Sequence, residues 1–271
     1  MLVFFSIILA LYIIFLVQSI PHYNNYIGNI SFLLINLIVV TILLYVAKES
    51  SKQNKNAFIG WFLIALSQLA TLLGNIAWMV ITIGFNQFAY PSVADIFYLI
   101  YFPLLITGIL YLPVSQNKEF KKYQILLDTG ILMVSVTLVL WVILIAHILE
   151  TQKENMFGIV ISLSYVLLDI FLLVTLFYSL LNWFGQVKKI PMLLLSMSAA
   201  TLVATNVIFT YQFLYGVDLL GGFLDIGWLI SYFLTVLAGI SYISHDDYDF
   251  KTHAQKSRWF KFNLSYYLPL L

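Results

Sequence analysis

The sequence predicts an all-α membrane protein, a polytopic helix bundle of about eight transmembrane helices. Its 271 residues are 62% hydrophobic and only 9% charged, and the mean hydropathy is +0.97. Soluble domains are about half apolar and a quarter charged. The apolar residues form runs of about 20, enough for a helix to cross a hydrocarbon core of about 30 Å. The basic residues fall between alternate runs, as expected when the chain crosses a membrane repeatedly.

Each apolar run is predicted to be a helix. Backbone polar groups cannot stay unpaired in hydrocarbon, and these runs lack the alternation of barrel strands. The first run has no basic n-region and no small-residue cleavage site, so it is predicted to be a retained signal anchor, with a cleaved signal as the alternative. The predicted spans are residues 2–20, 30–47, 57–84, 93–113, 124–149, 157–183, 191–215 and 224–243.

The distribution of basic residues predicts the orientation, because Lys and Arg are retained on the cytoplasmic side of short loops. Of the 13 basic residues, only Lys153 lies after an odd-numbered span. We therefore expect a plasma-membrane protein whose two ends are both cytoplasmic. The twelve basic residues predicted to be cytoplasmic are Lys48, Lys52, Lys55, Lys118, Lys121, Lys122, Lys188, Lys189, Lys251, Lys256, Arg258 and Lys261.

Residues 1–243 are predicted to form one transmembrane domain, and residues 244–271 a cytoplasmic juxtamembrane tail. The tail is polar and then turns apolar over residues 263–271. Nine residues are too few to cross a bilayer. This stub is either the beginning of a further helix or a short interfacial segment.

The helix hairpins are weakly repeated. Two hairpins share an Asn late in the first helix, an Asp at the start of the second, and aromatic residues three and seven positions after that Asp. Offsets of three and seven lie on one helical face. The repeated positions are Asn75, Asp95, Tyr98 and Phe102 in one copy, and Asn206, Asp225, Trp228 and Tyr232 in the other.

Asp169 is predicted to be the most deeply placed ionisable group. It lies twelve residues into a span, about 18 Å at 1.5 Å per residue, and Tyr165 and Ser162 precede it on the same face. Because burial in hydrocarbon disfavours a charged carboxyl, such a residue is a candidate for proton sensing or ligand binding. A carboxyl hydrogen-bonded to a neighbouring helix is the alternative.

The other residues that are candidates for ligand binding or proton sensing also have a structural interpretation. Asp95 and Asp225 stand in the first turn of their helices, where capping also explains a carboxylate. Asn75 and Asn206 also suit interhelical hydrogen bonding. Packing at an interface explains His147, and an aromatic belt explains Tyr98, Trp78 and Trp228.

Several classes of function are disfavoured by what the sequence lacks. There is no cysteine, and no nucleotide-binding loop, zinc-protease motif or hydrolase elbow. We therefore predict no catalytic residue, no metal and no cofactor, and an intramembrane enzyme ranks third among the functions. The net charge of +1 predicts no nucleic-acid partner, which leaves the lipid bilayer as the expected environment.

Three segments of the chain resemble a known family. Residues 90–99, Tyr-Pro-Ser-Val-Ala-Asp-Ile-Phe-Tyr-Leu, and residues 224–229, Leu-Asp-Ile-Gly-Trp-Leu, are similar to segments of a multi-pass N-terminal region of prokaryotic signalling proteins. In that family the region precedes PAS and histidine-kinase or GGDEF/EAL domains. Residues 165–169 resemble the Asp-bearing helix that lies between these segments, and the similarity covers most of residues 55–245.

The resemblance implies a sensor input module that passes a signal to a cytoplasmic output. Since this chain has no output domain, it would act through a fused domain or a separate signalling partner, and a homodimer is left open. The sequence therefore predicts a sensor of a small or lipid-like ligand, or of protons, at an outward-facing intramembrane site. The alternative is a small-substrate transporter in which Asp169 is the proton-coupling carboxyl.

Overall fold

The computed structural model describes residues 25–85, 90–112, 120–151, 156–183, 189–215 and 224–244. This part of the chain is helical and contains seven helices long and apolar enough to cross a membrane. The prediction of an all-α, multi-pass bundle is thereby confirmed. The predicted span at residues 2–20 and the tail at residues 245–271 lie outside the described residues.

The helices follow the predicted spans closely. The helices are α1 Asn25–Ser50, α2 Lys55–Met79, α3 Val93–Tyr111, α4 Phe120–Leu140, α5 Met156–Trp183, α6 Lys189–Tyr215 and α7 Leu224–Ser244. Two of them are extended without a break by a π-helical turn, Val80–Gly84 after α2 and Trp141–Ile145 after α4, and α4 then ends with Ala146–Thr151.

The antiparallel hairpin of α1 and α2 begins the described bundle. Asn54 caps α2 by accepting a hydrogen bond from the Asn56 backbone N–H at 2.8 Å. A methyl group added at Gly239 of α7 would lie 3.1 Å from Val46 and 3.3 Å from Trp61. Val46 of α1 and Trp61 of α2 therefore lie at the same height, which defines the register of the hairpin against α7.

Helices α2 and α3 approach each other closely through a pair of glycines. A Cβ atom at Gly108 would lie 2.9 Å from the carbonyl oxygen of Gly60, and one at Gly60 would lie 2.9 Å from that of Gly108. Small residues let helix backbones approach in this way in membranes, where lipid removes most of the hydrophobic drive for association. This crossing holds the end of α3 against the beginning of α2, next to the lysine-rich connections.

Helix α4 lies at the edge of the described bundle. Its contacts with α5 form a separate small core, whereas the main core joins the other helices. A stripe of α4 at helical spacing is more than half exposed, and in a membrane this stripe would face lipid. The stripe consists of Leu127, Ile131, Val134, Leu138 and Val142.

Candidate functional site

The candidate site begins at the first turn of α3. The Ser92 side chain accepts a hydrogen bond from the Ala94 backbone N–H at 3.1 Å, and the Ser92 backbone N–H donates to Asp95 Oδ2 at 2.6 Å. These contacts form a capping box, which satisfies N–H groups that have no partner within the helix. The capping interpretation of Asp95 is therefore confirmed.

Asp95 also binds a second helix. Its other oxygen, Oδ1, accepts a hydrogen bond from the Tyr165 hydroxyl of α5 at 2.7 Å, and the Asp95 side chain is only 2% exposed. One carboxyl group thus terminates α3 and joins it to α5. Capping alone would not require the second contact.

One face of α5 carries the polar contacts of the site. Ser162, Tyr165 and Asp169 are spaced by three and four residues, so they lie above one another on this face. The Ser162 hydroxyl and the Tyr90 hydroxyl are 2.7 Å apart and share a hydrogen bond. The face therefore contacts the segment before α3, the first turn of α3, and α6.

Tyr90 lies in the connection between α2 and α3. Burial raises the pKa of its phenol to about 12, while the hydrogen bond with Ser162 acts in the opposite direction and the nearby Asp95 carboxylate adds to the increase. The phenol is therefore neutral at physiological pH and can either donate or accept the shared proton. Its ring also packs against Phe213 of α6, with the ring centroids 4.8 Å apart.

Asp169 is joined to two further helices through Asn206. The Asn206 amide donates to Asp169 Oδ1 at 3.1 Å, and its carbonyl oxygen accepts from Trp228 Nε1 at 3.1 Å. Asp169 is 3% exposed. The three side chains form a hydrogen-bonded chain from α5 through α6 to α7, as the interhelical interpretation of Asn206 predicted.

The weak sequence repeat has a counterpart in the side-chain contacts. In the first copy the Tyr98 hydroxyl of α3 donates to Asn75 Oδ1 of α2 at 2.8 Å, which corresponds to Trp228 and Asn206 in the second copy. Gly74 provides the space for the Tyr98 ring, since a Cβ there would lie 2.5 Å from it. In each hairpin, an asparagine of the first helix accepts from the aromatic residue three positions after the aspartate.

The two copies meet in the interior of the bundle. The Tyr232 hydroxyl of α7 lies beside Asn75, and Tyr98 is close enough to Tyr232 and Asp225 to interact with them electrostatically. Tyr101 of α3 interacts in the same way with Tyr232 and Asp169. We refer to the whole set as the polar network, which consists of Asn75, Tyr90, Asp95, Tyr98, Tyr101, Ser162, Tyr165, Asp169, Asn206, Asp225, Trp228 and Tyr232.

Two further predicted candidates lie near the ends of their helices. His147 stacks on Tyr215 at the end of α6, with ring centroids 4.2 Å apart and planes 7° apart. Tyr215 is nine residues beyond Asn206, about 14 Å along the helix. Trp78 is half-buried one turn beyond Asn75, and its backbone carbonyl accepts from the Thr82 hydroxyl at 2.9 Å.

The predicted candidates did not include four polar side chains of the bundle interior: Asn36, Gln68, Tyr90 and Tyr101. Tyr90 precedes a Pro-Ser pair that caps α3, a position that could have marked it as close to Asp95. Asn36 and Gln68 interrupt long apolar runs, and both are completely buried. An amide at membrane depth is itself a signal, because it needs a partner there.

The network offers carboxyl groups whose hydrogen bonds come from neutral donors. Asp95 and Asp169 accept from a tyrosine, an asparagine and a backbone N–H. Among the described residues, no group of three or more His, Cys, Asp or Glu is placed to hold a metal ion. The arrangement suits the binding or release of a proton, or of a small polar ligand that replaces one of these neutral partners.

These features define a multi-pass α-helical membrane protein with a buried polar network between its helices. No protein-family model, curated protein or solved structure matches this chain.

Proposed function

We propose that this protein is a membrane sensor, in which the polar network detects protons or a small or lipid-like ligand from the outer face. The observation that carries the proposal is the connection of Asp95 and Asp169 to four helices through neutral hydrogen-bond partners. A change in the protonation state or in the hydrogen-bond partners of either carboxyl alters contacts between helices. A ligand shifts a conformational equilibrium only through such differential contacts.

The position of the network supports an input from one side of the membrane. The capping box of α3 and the contact of Tyr90 with Ser162 lie at the helix ends opposite to the lysine-rich connections. With the lysine-rich side cytoplasmic, as the positive-inside rule favours, these contacts face outward in the plasma membrane. The output then passes to a cytoplasmic partner or a fused domain, in agreement with the resemblance to signalling input regions.

The proposal is tested by measuring a helix displacement at the lysine-rich end. The chain has no native cysteine, so Ser51→Cys and Tyr111→Cys can carry two spin labels without background labelling. The distance between the labels is measured in lipid nanodiscs at about pH 5.5 and about pH 7.5, with protons as the probe. We expect the distance distribution to shift with pH, and the Asp169→Asn substitution to abolish the shift.

The matched control is Asp128→Asn, which removes an exposed carboxyl of α4 outside the network. This variant should keep the full pH-dependent shift. A distribution that is the same at both pH values, or a shift that persists in both Asp169→Asn and Asp95→Asn, would contradict proton sensing by the network.

Transport of a small substrate is the second candidate function, favoured by the central depth of Asp169. This residue lies thirteen positions after the start of α5 and fourteen before its end, so about 20 Å of helix extends on either side. Transport requires aqueous access from both faces, whereas a sensor needs access from one. Cysteines introduced at Ser162 and at Ser198, nearer the lysine-rich end, should both react with an impermeant maleimide in a transporter. In a sensor only the first should react.

A further inference from the structure

Two completely buried amide side chains lie apart from the hydrogen bonds described above. Asn36 of α1 and Gln68 of α2 are both 0% exposed, and none of their four amide nitrogen and oxygen atoms has a hydrogen-bond partner among the described residues. A buried amide without partners is destabilising in proteins, so an arrangement with two of them calls for a group that pairs with both.

The two amides lie at nearly the same height in the bundle. Val46 and Trp61 are level with each other because both contact the position of Gly239. Asn36 is ten residues before Val46, and Gln68 is seven residues after Trp61 in the antiparallel helix. The heights of the two amides therefore differ by about three residues, or about 4.5 Å.

The faces that carry these amides point into the bundle. Asn36 shares a face with Phe32, whose ring meets Tyr232 of α7 at a centroid distance of 5.9 Å. Gln68 lies beside the Tyr101 hydroxyl of α3, at a geometry that leaves its amide atoms without a hydrogen bond. Tyr101 is 5% exposed and also interacts electrostatically with Asp169.

We propose that Asn36, Gln68 and Tyr101 form an internal binding site for water, which joins the α1–α2 hairpin to the Asp169 end of the polar network. Water both donates and accepts hydrogen bonds, so it can satisfy the NH₂ groups and the carbonyl oxygens of both amides. A metal cation would satisfy the oxygens and leave the four N–H donors unpaired. The site offers the two to four polar partners that buried water requires.

The water site does not depend on the proposed function, but it would extend the response of the bundle to Asp169. Water beside Tyr101 would lie next to a side chain that interacts electrostatically with Asp169. A change in the protonation of Asp169 would then reach α1 as well as α6 and α7. The water site would therefore add α1 to the helices that respond to the Asp169 carboxyl.

The proposal is tested by hydroxyl-radical labelling of the full chain in nanodiscs. Radiolysis of bound water produces radicals in place, so a buried tyrosine beside that water is oxidised. We expect Tyr101 to be labelled in the unmodified protein despite its burial, and to lose most of this labelling in the double variant Asn36→Leu, Gln68→Leu. The matched control is Thr71→Val, because the Thr71 hydroxyl is bonded within its own helix to the Ser67 carbonyl, one turn from Gln68.

Three outcomes would contradict a water site. Labelling of Tyr101 at background in the unmodified protein would overturn the proposal, as expected if the amides pair with each other. Labelling that is unchanged in the double variant would also overturn it. Loss of labelling when choline replaces sodium and potassium would indicate a cation site instead. If the double variant fails to fold, Gln68→Leu alone should reduce the labelling, and Gln68→Asn, which keeps an amide, should retain more of it.

Discussion

Asp95 divides its two carboxylate oxygens between two helices, and this division explains why a capping residue is completely buried. Oδ2 closes the capping box with Ser92, and Oδ1 accepts from Tyr165 of α5. The first contact follows from the local sequence, since Ser followed three residues later by an acidic side chain is typical of a helix start. The second depends on α5 packing beside α3, which no local pattern indicates.

The contact of Tyr165 with Asp95 is expected to contribute to stability in its own right. Tyr165→Phe removes only the hydroxyl group, so the loss should be about 0.6 kcal/mol and at most about 1.7 kcal/mol, the range found for interhelical hydrogen bonds in membranes. The free energy of unfolding is measured in detergent or bicelles. A double-mutant cycle with Asp95→Ala, which removes the accepting oxygen, should give a coupling of similar size.

Tyr45→Phe serves as the control for this cycle, because Tyr45 is 51% exposed on α1. Its free energy of unfolding should match that of the unmodified protein. A coupling of zero between Tyr165 and Asp95 would show that the hydrogen bond does not join α3 to α5.

At the scale of helices, the contact of α2 with α3 depends on two glycines whose backbones nearly touch. The pairing brings Asn75 of α2 within reach of Tyr98 of α3, fifteen residues from the crossing point along α2 and ten along α3. The sequence predicted both helices to within a few residues. Glycines in an apolar run do not indicate which helix they will meet, so the crossing itself could not be predicted.

Gly108→Ala should destabilise the bundle, because the added methyl group would lie 2.9 Å from the Gly60 carbonyl oxygen and 2.8 Å from the Ile64 side chain. Overpacking of this kind costs about 1–3 kcal/mol. The matched control is Gly130→Ala on α4, where no atom lies within 4 Å of the added group. There the higher helix propensity of Ala should leave stability unchanged or raise it by up to about 1 kcal/mol. The comparison is made by thermal unfolding, and equal effects at the two positions would contradict the close crossing.

At the scale of the whole molecule, the alternation of lysine-rich and lysine-poor connections predicts how the bundle sits in the membrane. Ser51 lies in the connection between α1 and α2, and Phe85 follows the π-helical turn after α2 and is 67% exposed. A cysteine at Ser51 should react with an impermeant maleimide only from the cytoplasmic side. A cysteine at Phe85 should react only from the outer side. The labelling of oriented vesicles checks this, and the reverse pattern would contradict the positive-inside assignment.

The amino-acid sequence alone determined the helical class, the bounds of the described spans and the choice of most polar residues in the network. These features depend on composition, run length and helical spacing, which are local or additive properties of the chain. Three features could be found only in the tertiary structure: the contact of Tyr165 with Asp95, the position of Asn206 between Asp169 and Trp228, and the lack of hydrogen-bond partners for the buried amides of Asn36 and Gln68 among the described residues. The reason is physical, since a polar side chain in a span signals its need for a partner, while the packing of the helices decides which partner it meets.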